Sequence, residues 1–181
     1  MDKVVFLDRD GTISKDSPNH IKSWEEVHFF PNSKKAIKLL NDHGFSIIII
    51  TNQSVIGRKM VTKHELESIH EKYIKELEEY GCKIYKIYYC PHHPDDGCDC
   101  RKPQPGLLIK ASEENNIDTT KCFMVGDRIM DVKAGKKVNC KTVLISTDYG
   151  LKELEESSVK PDFIAKDLLE ASKWIIENYN I

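Results

Sequence analysis

Short apolar runs that end abruptly in polar residues are the feature that most restricts how this chain can fold. Val4–Leu7 runs straight into Asp8, and residues 46–50 run straight into Thr51. An uninterrupted apolar run such as the second one fits a strand that is buried on both faces, which is typical of parallel sheets. Amphipathic helical segments lie between such runs. This alternation predicts an α/β fold with a mainly parallel sheet and helices on both faces.

Local signals locate the individual elements. Thr62 and Glu65 are spaced as a capping box in front of one amphipathic stretch, and Gly44 follows the last turn of another. Glu153 to Ser158 is a polar stretch, which we interpret as a solvated helix or loop. The pattern predicts strands over 3–8, 46–51, 83–89, 121–125, 141–146 and 162–164. It predicts helices over 32–43, 62–80, 105–115, 128–137 and 167–178.

Length and charge narrow the class of protein. A chain of 181 residues can bury a sizeable core, so we predict a single domain over residues 1–181. The net charge of −2 and a pI of about 6.4 argue against a broad nucleic-acid-binding surface. The apolar runs are too short to cross a bilayer, and the first residues lead into a strand without the pattern of a signal peptide. We therefore expect a cytoplasmic protein that binds neither nucleic acid nor membrane, and a monomer because no large exposed apolar face stands out.

Two carboxylates one residue apart follow the first apolar run. The extended i, i+2 spacing sends the side chains of Asp8 and Asp10 to the same side, and buried carboxylates need a partner such as a metal ion. Gly11 lets the chain turn away where a Cβ would crowd the site. One carboxylate can attack phosphorus as a nucleophile while the other moves a proton. The alternative is a solvated turn, because Asp and Gly are ordinary turn residues.

Three further motifs follow in order, and the four together resemble those of the haloacid dehalogenase (HAD) superfamily of phosphohydrolases. Residues 8–12 resemble its first motif, DxDGT, and Thr51–Ser54 resembles the second. Arg101–Pro103 supplies the basic motif, and residues 126–128 with Asp131 look like the acidic fourth motif. The resemblance spans residues 3–146 and implies a three-layer, Rossmann-like (HAD-like) fold. Ligands of open α/β sheets bind outside the carboxyl ends of the strands, where these motifs are placed.

The resemblance implies a Mg²⁺-dependent phosphatase that works through an aspartyl-phosphate. Asp8 is then the nucleophile and Asp10 the general acid and base. Mg²⁺ is bound by the Asp8 carboxylate, the Asp10 backbone carbonyl and Asp127, and oxygen ligands suit this ion. Thr51 and Lys102 complete the catalytic set. The residues that we assign to substrate binding are Asp16, Asn19, Thr51, Asn52, Gln53, Ser54, Arg101, Lys102 and Arg128.

Several of these residues also have ordinary structural explanations. Thr51 could belong to a strand-end turn, Lys102 could be a solvated cation, and Asp127 could cap the following helix. Asp131 either orients Lys102 or Asp127, or is a first-turn acid that the helix dipole favours. The joint match of four ordered motifs is what favours the catalytic interpretation.

A dense cluster of thiols precedes the basic motif. Cys90, His92, Cys98 and Cys100 form a C-x-H-x5-C-x-C spacing. In a cytosolic protein such a cluster indicates a metal rather than disulfides, and three thiolates with one imidazole make a closed tetrahedral zinc site. We choose His92 over His93 because a C-x-H pair matches the C-x-C pair. The filled site predicts a structural zinc that holds the adjacent basic motif towards the phosphate; the alternative is a set of unmetallated surface cysteines. The remaining cysteines are predicted to be buried thiols: Cys82, Cys122 and Cys140.

This zinc loop narrows the resemblance within the superfamily. Followed at once by Arg101–Gly106, it resembles the small HAD phosphatases typified by the D-glycero-D-manno-heptose 1,7-bisphosphate phosphatases, and the phosphatase domain of histidinol-phosphate phosphatases shares it. Thr51–Arg58 and Tyr88–Pro94 favour the heptose enzymes, whereas Val55, where Gly is usual, and the short zinc loop depart from them. The resemblance implies hydrolysis of the heptose bisphosphate at its 7-phosphate. Histidinol phosphate and a nucleic-acid 3′-phosphate are the alternative substrates, and the near-neutral charge weighs against the second.

The spacing leaves no room for a globular cap over the site. About twenty residues separate the first motif from the first helix, fewer than an independent domain needs. Asp16 and Asn19 in this segment are candidates to bind sugar hydroxyls, and His20 and Trp24 are either lid or core residues. We expect an open site bordered by three loops, namely Ser14–Trp24, Ser54–Val61 and the zinc loop.

Overall fold

The computed structural model describes residues 3–179, and these contain a six-stranded sheet in which every neighbouring pair is parallel. The ends of the predicted domain, residues 1, 2, 180 and 181, lie outside the described residues. The strands are β1 Val4–Leu7, β2 Ser46–Asn52, β3 Ile84–Cys90, β4 Phe123–Gly126, β5 Lys141–Ile145 and β6 Phe163–Ala165. The helices are α1 Ser33–Asp42, α2 Lys63–Glu79, α3 Gly106–Asn115, α4 Ile129–Lys137, α5 Asp148–Glu156 and α6 Leu168–Asn178.

The sheet is covered on both faces, as the apolar runs predict. Alternate residues of a strand point to opposite faces, so Val5 and Leu7 pack with α1, α2 and α6, whereas Val4 and Phe6 pack with α3 and α4. All four β1 side chains are fully buried. α5 joins the second face through Leu154, which packs on a small apolar cluster that includes Leu144 of β5. The result is a three-layer α/β fold.

The order of the strands places a crevice between β1 and β4. The sheet has the order β3-β2-β1-β4-β5-β6. From β1 the chain adds β2 and β3 on one side, and it then crosses to the other side of β1 to add β4, β5 and β6. Ligands of open α/β sheets bind outside the carboxyl ends of the strands at such a switch point. Asp8 directly follows β1 and Asp127 directly follows β4. The fold therefore brings the first and fourth motifs to the same crevice.

Most predicted elements agree with the structure to within two residues, and the capping box of α2 is present. The main difference is α5, which starts at Asp148, five residues before the polar stretch that we interpreted as a helix or loop. Its N-terminus is set by Thr147, whose side chain accepts a hydrogen bond from the Gly150 amide. The segment between β1 and α1 contains one short 3-10 helix, Trp24–Glu26, and no globular cap.

Two other expectations concern the isolated cysteines and a membrane-spanning helix. The isolated cysteines Cys82, Cys122 and Cys140 are buried. Within residues 3–179 we find no helix that combines the length and the hydropathy needed to cross a membrane.

Candidate active site

Asp8 is the centre of a buried ion cluster. Its Oδ1 atom lies 2.8 Å from Lys102 Nζ and accepts a 2.8 Å hydrogen bond from the Arg9 backbone amide. Lys102 Nζ also lies 2.7 Å from Asp131 Oδ1, and both of these side chains are 1% exposed. Both donors to Asp8 approach the same oxygen, so the carboxylate is held in one orientation with Oδ2 left for chemistry.

Lys102 Nζ has three close oxygen neighbours within the protein. An ammonium carries three protons, and its third neighbour is the Ile50 carbonyl, which accepts a hydrogen bond of 2.7 Å. Burial opposes the positive charge, but Asp131 and Asp8 together raise the pKa of Lys102 above its ordinary value. These contacts place a buried positive charge beside the Asp8 carboxylate, and the action of Lys102 on a bound phosphate stays a prediction. Asp131 Oδ1 lies beside Lys102 Nζ and Asp131 Oδ2 accepts a hydrogen bond of 3.1 Å from the Arg128 amide, so both sequence-based interpretations of Asp131 fit its contacts.

Asp127 completes a group of three carboxylates. Oxygen atoms of Asp8, Asp127 and Asp131 all lie within 4.8 Å of one another. Gly11 adopts φ +87°, and a Cβ at this position would clash with the Asp127 carboxylate, so the turn needs glycine for two reasons. The only side-chain hydrogen bond recorded for Asp127 among residues 3–179 is a long one, 3.5 Å from Thr12 Oγ1. A buried acid with so little compensation fits a hard divalent cation with oxygen ligands.

The protonation of these acids reflects their burial. Burial raises the pKa of Asp8 to about 7, although Lys102 pulls it down. Burial, followed by the charges of Asp8 and Asp131, raises the pKa of Asp127 to about 8. Without a cation, this cluster therefore holds protons near neutral pH that a divalent metal would displace.

Asp10 is held by different partners from those of Asp8. Arg9 clamps it through two hydrogen bonds, Nε to Oδ1 at 2.9 Å and Nη2 to Oδ2 at 2.7 Å. Gln53 Nε2 donates a third, of 2.8 Å, to Oδ2. Gln53 was predicted to bind substrate, and no role was predicted for Arg9. The structure buries Arg9 fully and places the side-chain amide of Gln53 against the Asp10 carboxylate.

Residues of the second motif, Thr51–Ser54, form hydrogen bonds with other protein groups around the cleft. Thr51 lines the cleft and accepts a hydrogen bond of 2.9 Å from Gln53. Asn52 Nδ2 donates to the Lys102 carbonyl at 3.2 Å, and Asn52 Oδ1 accepts from the Lys102 amide at 3.1 Å. The amide of Asn52 is thus used to fix the basic motif, while its contact with substrate stays a prediction. Ser54 lines the cleft and accepts a hydrogen bond from Arg58.

The cleft itself has a volume of about 180 Å³. Arg101 lines it, and Arg101 Nη1 is buried without a hydrogen-bond partner among the described residues, so this donor is available to a ligand. Asp16 also lines the cleft, whereas Asn19 is exposed and is not part of its wall. The structure also separates His20 and Trp24, for which the sequence left open a place in a lid or in the core. His20 lines the cleft and has φ 60°. Trp24 packs edge-on against Phe29 beside the core.

Arg128 stands on the cleft wall with most of its guanidinium engaged elsewhere. Nη2 lies 2.7 Å from Glu153 Oε1, Nε donates to Glu153 Oε2, and the ring of Tyr149 lies 4.0 Å from the guanidinium carbon. Glu153 also accepts a hydrogen bond from the Ile129 amide at the start of α4. The sequence did not reveal that α5 holds this residue of the cleft wall, because Glu153 lies 25 positions after Arg128. Substrate binding by Arg128 stays a prediction.

The zinc loop gathers the four residues that the spacing selected. The Sγ atoms of Cys90, Cys98 and Cys100 lie 3.2 to 3.6 Å apart, and His92 Nδ1 lies 3.6 Å from Cys90 Sγ and 3.2 Å from Cys100 Sγ. Three thiol sulfurs and one imidazole nitrogen that all lie within 4.8 Å of one another fit the ligand set of a tetrahedral zinc site. His93 faces another way and accepts a hydrogen bond from the Asp95 amide.

This loop packs against the loop that follows the second motif. The Gly57 amide donates to the Pro91 carbonyl at 2.8 Å, and a Cβ on Gly57 would collide with the backbone at His93. Cys100 leads directly into Arg101 and Lys102. A fixed zinc loop therefore also fixes two borders of the cleft.

Comparison with known proteins gives the family. A family model described as HAD-hydrolase-like matches residues 99–171. The D-glycero-beta-D-manno-heptose-1,7-bisphosphate 7-phosphatase of Pseudomonas aeruginosa is 37% identical to the chain over 174 residues, which cover 96% of this chain and 98% of the relative. The chain belongs to the heptose-bisphosphate phosphatase family of HAD-like hydrolases. It is therefore a phosphoric monoester hydrolase by descent.

Other members of this family give the same picture. The D-glycero-D-manno-heptose-1,7-bisphosphate 7-phosphatase of Chlorobaculum tepidum is 35% identical, covering 93% of this chain and 92% of the relative. The crystal structure of D,D-heptose 1,7-bisphosphate phosphatase from B. bronchiseptica, complexed with magnesium and phosphate, matches with a TM-score of 0.91. That match has 32% identity and covers 97% of this chain and 98% of the other. The HAD-like fold expected from the four motifs is confirmed.

Proposed function

We propose that this protein is a Mg²⁺-dependent phosphatase that removes the 7-phosphate of D-glycero-D-manno-heptose 1,7-bisphosphate. The observation that carries the proposal is the orientation of Asp8, whose Oδ1 is held by Lys102 and the Arg9 amide at the floor of a cleft lined by Asp10. Relatives that are 32–37% identical over almost the whole chain carry the heptose name, which supports the substrate.

The donor set fits a resident Mg²⁺. Asp8 and Asp127 would hold it with their carboxylates and Asp10 with its backbone carbonyl. When bound, the ion supplies positive charge to the phosphoryl oxygens as charge develops on them. The magnesium in the B. bronchiseptica structure supports this assignment.

Two displacements account for hydrolysis. In the first, Asp8 Oδ2 attacks phosphorus, the bond from phosphorus to the sugar oxygen breaks, and Asp10 gives its proton to that oxygen. In the second, Asp10 takes a proton from water, the water oxygen bonds to phosphorus, and the bond to Asp8 breaks to release phosphate. Lys102 keeps Asp8 oriented throughout and contributes its charge, as electrostatic catalysis requires.

The unpartnered Arg101 donor supports a phosphorylated substrate with a second anionic group. Guanidinium groups bind phosphate oxygens through paired N–H donors, and Arg101 reaches the cleft wall with Nη1 unused. Asp16 and the polar edge of Ser54 can bind sugar hydroxyls there. Binding by Asn19 requires movement of its exposed loop, since it lies outside the cleft wall.

The zinc site is proposed to be structural, because three thiolates and one imidazole fill a tetrahedron and leave no position for a reacting water. We further propose a single domain over residues 1–181 that works as a cytoplasmic monomer on a small phosphorylated substrate, without nucleic-acid or membrane partners. The net charge of −2 and the family membership support this description.

The test is phosphate release in the presence of Mg²⁺ from both anomers of the heptose bisphosphate, from histidinol phosphate and from a 3′-phosphorylated oligonucleotide. The Asp8→Asn variant serves as the blank. We expect kcat/KM to be at least about tenfold higher for one heptose anomer than for the other compounds, a margin of about 1.4 kcal/mol in transition-state binding. Equal rates on all compounds, or a preference for histidinol phosphate, would reject the substrate assignment. Activity of the blank at the wild-type level would reject Asp8 as the nucleophile.

A further inference from the structure

Arg9 is the largest of the fully buried side chains among the described residues, although it lies between two aspartates. Its guanidinium has 0% exposure and makes two hydrogen bonds to the Asp10 carboxylate, which is 18% exposed at the cleft. A buried guanidinium is costly unless it is paired and hydrogen bonded. Asp10 compensates for its charge, and in return the rigid fork of Arg9 fixes both oxygens of Asp10.

His70 contacts the opposite side of this guanidinium. Arg9 Nη1 lies 3.1 Å from His70 Nε2, and His70 is 6% exposed on the buried face of α2. Arginine can only donate, so the imidazole nitrogen must accept, which requires a neutral ring protonated on Nδ1. Burial, and then the positive charge of Arg9, lower the pKa of His70 to about 3. The ring is thus neutral throughout the range in which a phosphatase works.

The surroundings leave the pair little freedom to move. The His70 ring packs edge-on against Tyr89, with centroids 5.4 Å apart, and the Arg9 guanidinium lies 5.9 Å from the centre of the Tyr73 ring. Tyr73 itself is anchored by a 3.0 Å hydrogen bond to Ser14. α2 therefore reaches the catalytic segment through a chain of contacts that runs from His70 to Arg9 to Asp10.

We infer that Arg9 and His70 are a positioning pair that holds the Asp10 carboxylate in the pose needed to protonate the leaving alcohol. The inference deepens the proposed function and rests on it. Neither residue touches the substrate: Arg9 acts through Asp10, and His70 acts through Arg9. A proton donor must lie within hydrogen-bond reach of the leaving oxygen, so a carboxyl that rotates freely would lose efficiency without any loss of substrate binding.

The dependence on the leaving group separates this role from simple structural support. A sugar alkoxide is a poor leaving group and needs the Asp10 proton, whereas p-nitrophenolate is stable as an anion and leaves without one. The parameter kcat/KM reports steps up to the first irreversible one, which is transfer of the phosphoryl group to Asp8. It is therefore insensitive to the later hydrolysis, which is the same for both substrates.

Two pairs of variants test the inference on the full-length, metal-loaded protein. Arg9→Met removes the clamp and Arg9→Lys keeps the charge without the fork, while His70→Leu removes the acceptor and His70→Gln retains one. Tyr73→Phe is the matched structural control, since it breaks a buried hydrogen bond in the same layer without touching Asp10. Each variant is assayed on heptose bisphosphate and on p-nitrophenyl phosphate, and its melting temperature is recorded.

General acid catalysis is worth about 10²–10⁴-fold, so we expect Arg9→Met and His70→Leu to lower kcat/KM for the sugar substrate about 10- to 100-fold. The loss on p-nitrophenyl phosphate should stay within about threefold, and His70→Gln should recover most of the sugar activity. Tyr73→Phe should lower the melting temperature and change both substrates equally. If Arg9→Met does not fold, the His70 pair decides the question alone.

Equal losses on both substrates in the His70 variants, or no rescue by His70→Gln, would overturn the inference and leave a purely structural network. Failure of the wild-type protein on both substrates would instead reject the proposed function. The two failures are therefore distinguishable.

Discussion

Replacing Asp127 by asparagine should stabilise the protein while abolishing its activity. Asp127 is 6% exposed, belongs to a group of three mutually close carboxylates, and has no direct ammonium or guanidinium partner recorded among the described residues. Asparagine has nearly the same shape and carries no charge. The substitution therefore removes a buried negative charge without creating a cavity.

The magnitude follows from the raised pKa. Burial and the neighbouring acids move the pKa of Asp127 from 3.8 to about 8. A folded-state pKa above the unfolded value contributes stability that is complete below about pH 4 and is lost as the pH rises through about 8. The full shift corresponds to about 5 kcal/mol at pH 8, since each unit is worth about 1.4 kcal/mol. Local water and small movements of neighbours relieve part of this cost, so we expect a gain of about 1–3 kcal/mol for Asp127→Asn.

The assay is urea denaturation at about pH 5 and about pH 8, without added Mg²⁺ and without chelator, so that any zinc is retained. The gain should be largest at the higher pH and about a third as large at the lower, because at about pH 5 wild-type Asp127 is protonated in the folded state but already ionised in the unfolded chain. Saturating Mg²⁺ should then stabilise the wild type and leave the variant unchanged. Asp42→Asn, at an exposed i,i+4 pair with Lys38, is the control and should change stability by less than about 0.5 kcal/mol. A variant less stable than wild type at the higher pH, or a gain independent of pH, would refute the reasoning.

Three further substitutions probe the same site. Lys102→Met leaves two buried carboxylates without their ammonium partner. It should lower the free energy of unfolding in urea by about 3–5 kcal/mol, and by more at higher pH. An effect no larger than that of the exposed Lys38→Met would contradict this. Gly11→Ala forces a Cβ into the Asp127 carboxylate at a backbone φ of +87°. The value of kcat should fall about 10²-fold, and the stabilisation by Mg²⁺ should disappear. A variant that Mg²⁺ stabilises as much as it stabilises the wild type would count against this. Cys98→Ser should abolish the bound zinc by elemental analysis, lower the melting temperature and raise KM; unchanged KM would show that the loop does not orient the basic motif.

The fold was predictable because its signals are local. Uninterrupted apolar runs mark strands buried on both faces, and the structure shows those strands in one parallel sheet. The positions of the motifs at strand ends then predict a shared site, since parallel strands end at one edge. The spacing of Cys90, His92, Cys98 and Cys100 likewise lies within one short loop. The zinc-loop residues lie near one another in the sequence, and the motif residues lie at equivalent strand ends of successive β-α units.

The partners of the catalytic groups were not predictable in the same way. From the sequence, Arg9 is an ordinary polar residue between two aspartates. Only the packing of α2 shows that its side chain is buried against His70. His70 lies 61 positions away on the apolar stripe of a helix, where a lone histidine carries no signal of its own. The pairing of Arg128 with Glu153 depends in the same way on where α5 folds back. Sequence patterns indicate which residues carry chemistry, whereas long-range packing decides which residues hold them in place.

The distribution of charge divides the site into two parts with different requirements. Arg9 neutralises Asp10 directly whenever that carboxylate is ionised, so this part of the site needs no added cation. In the other part, three carboxylates share the ammonium of Lys102, which contacts Asp8 and Asp131, and two negative charges stay uncompensated once all three are ionised. A divalent cation matches that excess. Without the cation, the cluster would repel a phosphate dianion at any pH above about 8, where Asp8 and Asp127 are ionised. We therefore expect metal and substrate to bind with positive coupling, and such coupling is reciprocal: each should tighten the binding of the other by the same factor.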